Sequence, residues 1–589
     1  MWSFHFSKKK FIDFFDVLRI EDNSSHPAPK EVYGYRIYLL ALSAAAGSSM
    51  FGYDSGFIGG TLTLPAFTAK FGLDSATGDA LSKLKSDIVS TFQGGAFFGA
   101  SFSYFFNEKF GRKRTLLIFS ALFMIGVILQ VASSGNVGLI YAGRAITGVA
   151  VGTTSMVVPI YIAEWAPPAA RGRLVGLYEC VYQCSSVIAF WVDYGVKINI
   201  SDTSDSQWLI PFGLQFIFGG ACFSLMLLQP ESYRWLLKAD RVDEAQRNLS
   251  VIRMLPKDHE YILWEIATVQ QQLQEESQLV KIPGYDEDAT EDWKETIKHP
   301  TRWGIVAKFR ELKKPGIRNR LLLGFSVMIF QNLAGINALN YYSPTIFKDI
   351  GVTGNSVDLL ATGVFGIVKA VTNILFVIGG VDRYGRRGPL LLGSSVTCLC
   401  MLYLGVYTCV AGSFDHTVPM DSGSRCAIAM VYIFAIFFAF SWNSIPFIFC
   451  SEVFPTRVRN LCMAMCVMMQ WLMQFVIVYS NPYMMTNIKY GTFFFFAACL
   501  FVSVPFVYFL LPETRGLTLE NMDIMFNEPG FAISKRYRTK AIIEKQKEEE
   551  RQNGGFASLL DISKDKIEHE EEMEGSHFES DIEAESVGM

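Results

Sequence analysis

The sequence predicts an all-α membrane protein with twelve transmembrane helices, arranged as two related halves of six. Of the 589 residues, 50% are hydrophobic and only 18% carry charged side chains. A soluble chain of this length would need more charge to cover so apolar a composition. Apolar stretches close to the roughly 20 residues that span a bilayer recur along the chain, and short motifs of the first half return in the second.

A long polar stretch separates the predicted spans into two groups of six. The first group covers residues 36–58, 87–106, 115–134, 138–162, 174–195 and 208–228. The second group covers residues 319–347, 356–379, 388–411, 427–450, 460–481 and 490–511. The predicted domains are a cytoplasmic N-terminal segment, a first bundle, a cytoplasmic helical linker, a second bundle and a cytoplasmic, largely disordered acidic tail, at residues 1–35, 36–228, 229–318, 319–512 and 513–589.

Three motif pairs relate the two halves. They are GRKR from Gly111 and GRR from Gly385, EWAPPAARGR from Glu164 and EVFPTRVR from Glu452, and PESYR from Pro230 and PETR from Pro512. The members of the pairs lie 274, 288 and 282 residues apart. This near-constant offset indicates a duplicated six-helix unit, and parallel repeats of this kind enclose a central site at the bilayer midplane.

Lysine and arginine residues concentrate in the short loops after the second, fourth, eighth and tenth spans. Because such loops stay on the cytoplasmic side, both chain ends and the central polar stretch are predicted to be cytoplasmic. The net charge of −4 and the lack of a basic stripe argue against a nucleic-acid partner. The sequence has no phosphate-binding loop, metal-ligand cluster or nucleophile–base pattern, so we expect neither an enzyme nor a bound cofactor or metal.

A set of motifs spread over both halves points to a family. They are GRKR at 111–114, PIYIAE at 159–164, RGR at 171–173, PESYRW at 230–235, QNLAGINA at 331–338, DRYGRR at 382–387 and PETRG at 512–516. Over about residues 30 to 525 the chain resembles the sugar porters of the major facilitator superfamily. The stretches at 29–38, 53–61 and 171–179 look most like fungal quinate permeases and their sugar-transporting relatives. The departures are Asn332, where the family usually has a second glutamine, and Phe447, where many members carry tryptophan.

Ionisable residues inside predicted spans are costly to bury and are therefore candidates for function. Asp54 lies in the first span, and a carboxylate there can exchange a proton if its surroundings shift its pKa. The resemblance implies that Arg144, in the fourth span, pairs with it in a proton-coupled cycle. The alternative is a permanent buried ion pair.

Glu179 and Lys369 stand where many sugar porters have amides, as the resemblance implies. Lys369 would then face the solute, and three roles stay open for its ammonium group. It can bind the carboxylate of a quinate-like anion, it can pair with Glu179 across the site, or it can extend away from the site.

The seventh predicted span carries an unusual set of polar residues, namely Gln331, Asn332, Asn337, Asn340 and Tyr341. Gly335 lies among them and is predicted to break the helix, so that backbone groups also face the site. Amide side chains both donate and accept hydrogen bonds, which suits hydroxylated solutes. The alternative is that these amides only hold helices together.

The tenth and eleventh spans carry aromatic and amide residues, namely Trp442, Asn443, Phe447, Gln470 and Trp471. The resemblance implies that Phe447 and Gln470 match solute-contacting positions, with Phe447 stacking on a ring. We include Trp471 in the predicted solute site. For each aromatic residue here the alternative is packing or a place at the membrane interface.

Acidic and basic residues also cluster at the predicted cytoplasmic helix ends of both halves. As a network they can hold the inner face shut and separate when it opens, although single surface pairs are weak. Simple positive-inside topology is the alternative, but it explains only the arginines. The predicted gate comprises Arg112, Glu164, Arg171, Glu231, Arg234, Asp382, Glu452, Arg457, Glu513 and Arg515.

Together these features lead us to expect secondary active transport of a monosaccharide or a quinate-like hydroxy acid, by proton symport with alternating access. The alternatives are a facilitative sugar uniporter and, less favoured because the tail is short and acidic, a transporter-like nutrient sensor. The expected partners are the solute, protons and the lipid bilayer, and the expected transport unit is a monomer. The resemblance implies the plasma membrane.

Overall fold

A computed structural model describes residues 28–74, 79–167, 170–279, 309–349, 357–379, 381–413 and 420–514, with residues 522, 525, 526, 541 and 542. Within these ranges every regular element is a helix. The first 27 residues, most of the second part of the predicted linker and most of the predicted tail lie outside the described residues. The domain boundaries therefore stay a prediction.

The first half follows a short 3₁₀ turn, Lys30–Tyr33. Its helices are α1 Tyr35–Thr61, α2 Pro65–Lys70, α3 Asp79–Phe110, α4 Arg112–Val131, α5 Val137–Trp165, α6 Arg171–Asn199 and α7 Ser206–Leu227. The linker then forms α8 Tyr233–Lys238, α9 Val242–Arg253 and α10 Glu260–Leu279.

The second half begins with α11 Pro315–Leu333, α12 Ile336–Asp349, α13 Val357–Gly379, α14 Val381–Tyr384 and α15 Arg387–Val410. It continues with α16 Ser422–Phe438, a π-helical segment Ala439–Asn443, α17 Ile445–Val453, α18 Thr456–Asn487 and α19 Gly491–Phe509. Each predicted span matches one of these helices or one interrupted run of them, which confirms the predicted all-α architecture of twelve spans.

Several helices extend beyond the predicted apolar stretches. The clearest case is α3, which begins at Asp79 rather than at residue 87, because its first turns are polar. In the described ranges nine helices are long and apolar enough to cross a membrane, or ten if the bent pair α11 and α12 counts as one. The helices α1 and α3 complete the set, with compositions richer in small and polar residues.

Two spans of the second half are interrupted near their middle. Gly335 separates α11 from α12 with a φ of +90°, and the two helices meet at a bend of 40°. A left-handed φ of this kind is costly for any residue with a Cβ atom, which explains why a glycine stands there. The helix break predicted at Gly335 is confirmed.

The second interruption is the π-helical segment, in which five residues depart from the hydrogen-bond pattern of the α-helix. Asn373 of α13 donates from Nδ2 to the carbonyl oxygen of Ala439 at 3.1 Å and to Oγ of Ser444 at 2.6 Å. Short π-helical turns often mark functional positions. This one places Asn443 against the first half.

The two halves contact each other along α6 and α13. At the end that carries Arg112, which we call the charged end, Gly176 of α6 packs against Val377 of α13. Further along the same pair of helices, Gly366 packs against Phe190. The pair of α6 and α13 thus joins the two halves at two separate levels.

The linker helices pack at the charged end of the first half. Arg253 of α9 is only 1% exposed and pairs with Glu265 of α10 at 2.6 Å. It also donates to the carbonyl oxygen of Trp165, the last residue of α5, at 2.9 Å. The linker is thereby fixed to the end of a membrane-spanning helix.

Candidate solute and proton site

A fully buried ion pair links α1 and α5. Arg144 donates from Nη1 and Nη2 to the two carboxylate oxygens of Asp54, each at 3.3 Å, and neither side chain is exposed. The guanidinium group also lies 5.3 Å from the ring centre of Phe92 on α3. The predicted pairing of these two helices is thus present, and its part in proton coupling stays a prediction.

A chain of amide hydrogen bonds connects the predicted solute residues of α11, α12 and α18. Asn337 donates to Oδ1 of Asn332 at 2.7 Å, and Asn332 donates to the carbonyl oxygen of Gln470 at 3.3 Å. Gln470 in turn donates to Oε1 of Gln474 at 2.8 Å. The break at Gly335 makes this possible, since it brings residues on both of its sides to one place.

Tyr341 joins this chain to the first half. Its hydroxyl oxygen accepts from Nε2 of Gln474 at 3.1 Å and from Nε2 of Gln93 at 3.0 Å. Gln93 belongs to α3 and follows Phe92, the ring beside Arg144. The ion pair of Asp54 and Arg144 and the predicted solute residues are therefore neighbours in one buried polar region.

A second polar cluster centres on Asn443 of the π-helical segment. Its Nδ2 donates to Oε2 of Glu179 at 2.9 Å, and its Oδ1 accepts from Nε2 of Gln183 at 3.0 Å. Its backbone carbonyl oxygen accepts from Nε2 of Gln331 at 3.3 Å. One residue of the second half thus contacts two polar side chains of α6 in the first half.

Lys369 is 1% exposed, so its side chain remains inside the molecule. Its ammonium group donates to Oδ1 of Asn340 at 2.8 Å and lies 5.6 Å from the ring centre of Phe365. Among the described residues it forms no ion pair within 4.0 Å, with Glu179 or with any other carboxylate. Which group it binds during transport stays a prediction.

The predicted solute residues are all buried, none with more than 9% of its surface exposed. Around them, four glutamine carbonyl oxygens accept no hydrogen bond within the described part of the chain, and they belong to Gln93, Gln183, Gln331 and Gln470. Buried acceptors without donors are rare and costly in folded proteins. Their concentration here fits a ligand that supplies hydroxyl groups.

Aromatic side chains border the same region. The ring of Phe447 lies 5.6 Å from that of Tyr178 on α6, and Trp471 packs 4.8 Å from Phe51 on α1. Trp471 also donates from Nε1 to Oγ of Ser155 at 3.0 Å. Trp442 instead donates from Nε1 to Oγ of Ser394 at 2.9 Å, within its own half. This contact fits the alternative given for Trp442, which is packing.

Three buried glutamines of this region, Gln93, Gln183 and Gln474, were not among the predicted site residues. Gln183 follows Glu179 by four residues and Gln474 follows Gln470 by four, so helical spacing alone places each beside a predicted residue. Gln93 has no such neighbour on α3, and only the tertiary structure brings it to Tyr341.

At the charged end of the first half, residues at the junction of α3 and α4 contact two glutamates. Arg112 pairs with Oε1 of Glu164 at 2.5 Å. Glu231 accepts from the backbone N–H groups of Arg112 at 2.8 Å and Lys113 at 3.1 Å. Burial raises the pKa of the Glu231 carboxyl above its ordinary value, against the opposing effect of these N–H donors.

The second half repeats this cluster. Arg386 pairs with Oε1 of Glu452 at 2.6 Å, and its backbone N–H donates to Oε1 of Glu513 at 2.9 Å. Gly385 precedes it with a φ of +79°, as Gly111 does in the first half with a φ of +86°. The motif repeat of the sequence is therefore a structural repeat.

These two clusters each connect residues of one half, whereas the predicted gate was a network between the halves. Arg386, which was not predicted, takes the place in the second half that Arg112 has in the first. Arg234 contacts the linker, over the ring of Tyr233 and at 3.5 Å from Gln272, and Arg171 is 8% exposed at the start of α6. The side chains of Asp382, Arg457 and Arg515 lie outside the described residues, so the gate stays a prediction.

Twelve spans in two repeated halves, with a buried polar centre, have the major facilitator fold. The chain belongs to the sugar transporter family, since the family described as "Sugar (and other) transporter" matches residues 40–526. It is 41% identical to a quinate permease of Neurospora africana, over 85% of this chain and 90% of that protein. It is also 41% identical to a probable quinate permease of Aspergillus niger, over 85% of this chain and 89% of that protein. These relatives are permeases, so the chain is a transporter and not an enzyme.

Solved structures agree on the fold. The proton:xylose symporter XylE bound to 6-bromo-6-deoxy-D-glucose has a TM-score of 0.67 and 23% identity, over 84% of this chain and 99% of that chain. A partially occluded inward-open form of the xylose transporter XylE from E. coli has a TM-score of 0.64 and 22% identity, over 82% and 100% of the two chains. The predicted sugar porter membership is confirmed.

Proposed function

We propose that the protein transports a small polyhydroxylated solute, a monosaccharide or a quinate-like hydroxy acid, by alternating access. The observation that carries this proposal is the set of buried glutamine carbonyl oxygens that accept no hydrogen bond from any residue the structure describes. Hydroxyl groups of a solute can donate to them, while the amide N–H groups nearby can donate in return. The names of the relatives, quinate permeases, support the hydroxy acid among these solutes.

The ammonium group of Lys369 supports an anionic solute further. It makes one hydrogen bond, to Asn340, and an ammonium group has three donors. A carboxylate that enters the enclosed site can accept from the remaining donors and compensate the buried charge. A neutral sugar offers no such compensation.

Transport is coupled to protons in this proposal, through Asp54 and Arg144. When Asp54 is ionised, the pair holds α1 against α5, and protonation of the carboxylate removes the charge that binds Arg144. The two states therefore differ in how firmly the helices of the first half are held. A uniporter, in which this ion pair never opens, is the second candidate, because the pair is fully buried.

The remaining parts of the proposal concern placement. The protein would lie in the plasma membrane as a monomeric transport unit, with both ends and the charged end of the bundle in the cytoplasm. The arginines and lysines of the short loops support this orientation.

The test is uptake of labelled quinate, glucose and xylose in cells that lack their own carriers, with and without a protonophore. Uptake that collapses with the protonophore supports symport, and uptake that persists supports the uniporter. Loss of quinate uptake in Lys369→Ala, at equal surface expression, ties the ammonium group to the carboxylate. If none of these solutes enters the cells, the proposed function is wrong.

A further inference from the structure

Two buried opposite charges of the central site are each bonded to an amide, although both side chains are inside the molecule. The Lys369 ammonium group donates to Asn340 at 2.8 Å, and the Glu179 carboxylate accepts from Asn443 at 2.9 Å. The two side chains are 1% and 5% exposed. The two side chains nevertheless form no ion pair with each other within 4.0 Å.

This arrangement needs a cause, because opposite charges in a low-dielectric interior favour direct contact. A carboxylate that is bonded to an amide N–H group has less to gain from an ammonium group nearby. Asn443 supplies that N–H group, so Asn443 is the residue that can keep Glu179 from Lys369.

Several hydrogen bonds fix the position and orientation of Asn443. Gln183 donates to its Oδ1 at 3.0 Å, which leaves its Nδ2 to face Glu179. Gln331 donates to its backbone carbonyl oxygen at 3.3 Å. Asn373 holds the π-helical segment by its bond to the carbonyl oxygen of Ala439. The amide therefore has one orientation and one position.

We propose that Asn443 determines the specificity of the site for anionic solutes. By binding Glu179, it leaves the ammonium group of Lys369 available for the carboxylate of a hydroxy acid. This inference rests on the proposed function. Without the Asn443 amide, Glu179 loses its donor and turns to Lys369, and the site then carries a closed ion pair instead of a cation.

The test compares Asn443→Leu, Glu179→Gln and the double variant in the uptake of labelled quinate, at equal surface expression. Leucine has the same number and branching of side-chain heavy atoms as asparagine but no donor. We expect Asn443→Leu to lower quinate uptake by about tenfold or more, as loss of a charge-assisted contact of the solute implies. Glu179→Gln removes the carboxylate that competes for Lys369, so its own uptake is the reference level for the double variant.

The double variant tests whether Asn443 acts through Glu179. Uptake returns to the level of Glu179→Gln, since the carboxylate that blocked Lys369 is gone. A structural role of Asn443 that does not act through Glu179 would give no such rescue. The inference is overturned if the double variant stays as low as Asn443→Leu, if Asn443→Leu transports quinate normally, or if Glu179→Gln alone is inactive.

Failure of the proposed function is distinguishable from failure of this inference. If the wild-type protein takes up no quinate, or if Lys369→Ala takes it up normally, anion recognition by Lys369 is wrong before any variant of Asn443 is compared. If both of those controls behave as expected and the rescue fails, only the role of Asn443 is wrong.

Discussion

At the scale of single residues, each buried charge of the membrane interior has its own kind of compensation. Asp54 is paired with Arg144, whereas Glu179 and Lys369 are bonded to amides. Asp193 on α6 differs again, because its Oδ1 accepts from Oγ1 of Thr61 at 3.0 Å and it forms no ion pair among the described residues. These differences fit the separate roles that we propose for Asp54 in proton coupling and for Lys369 in solute recognition.

We expect Asp54→Asn to abolish proton-driven accumulation and to leave solute exchange intact. The amide cannot exchange a proton, but it preserves the shape of the site. Accumulation against a gradient and counterflow with preloaded solute measure the two activities separately. The matched control is Asp193→Asn, which should keep accumulation, and a D54N variant that still accumulates solute would contradict proton coupling at this residue.

The Glu231 carboxyl lies outside the membrane-spanning segments, and its pKa predicts how the stability of the protein depends on pH. Because burial raises its pKa, the folded protein binds this proton more tightly than the unfolded chain does. The resulting stabilisation is present at pH values below the ordinary value of 4.5 and is lost as the pH rises through the raised value.

Glu231→Gln removes this titration, so the wild-type melting temperature should rise relative to that of the variant as the pH is lowered. Thermal unfolding of both purified proteins over a pH series measures the difference. A difference that is independent of pH, or that falls with acidification, would show that the backbone donors of Arg112 and Lys113 outweigh burial.

At the scale of elements, the interruptions of two spans build the site. The left-handed residue Gly335 lets Asn332 and Asn337 face each other across the break. The π-helical segment in turn directs Asn443 towards α6. Regular helices in both places would spread these amides along separate faces.

Gly335→Ala should therefore reduce both stability and transport. The left-handed conformation costs about 1–2 kcal/mol for a residue with a Cβ atom, and the added atom would lie 2.9 Å from Met401 and from Phe496. Thermal unfolding and solute uptake at equal expression measure the effects. Gly213→Ala on α7 is the control, because its Cβ atom would meet nothing within 4 Å; equal behaviour of the two variants would contradict a special role for Gly335.

At the scale of the whole molecule, two repeated halves meet along helix pairs that cross the full membrane. In the pair of α6 and α13, Gly176 permits close approach near the charged end, and Gly366 permits it near the middle of α13. Alternating access requires each of these contacts to open in turn. Larger side chains at these two glycines can therefore obstruct the two contacts separately.

Gly176→Val should obstruct closure at the charged end, where the added Cβ atom would lie 2.7 Å from Val377. Gly366→Val should obstruct the contact that lies further from the charged end, where the added Cβ atom would be 2.7 Å from Phe190. We expect both variants to lose transport and to differ in which side of the membrane gains access to the site. Labelling of single introduced cysteines with an impermeant thiol reagent measures this, and equal labelling patterns would contradict the prediction.

The sequence by itself determined the all-α class, the twelve spans, the two-half repeat and the family, because these depend on composition, on segment length and on motifs close together in the chain. It also identified Asp54, Arg144, Glu179 and Lys369, since a charge within an apolar span is visible in one dimension. Helix spacing could have added Gln183 and Gln474.

Only the tertiary structure decided which of these groups meet. It placed Glu179 on Asn443 and Lys369 on Asn340, and it brought Gln93 from α3 to Tyr341. It also paired Arg112 with Glu164 in the first half and Arg386 with Glu452 in the second. The physical reason is that hydrogen bonds and ion pairs act over a few ångströms between helices far apart in the chain. Neither periodicity nor motif spacing records which of several buried donors reaches a given acceptor.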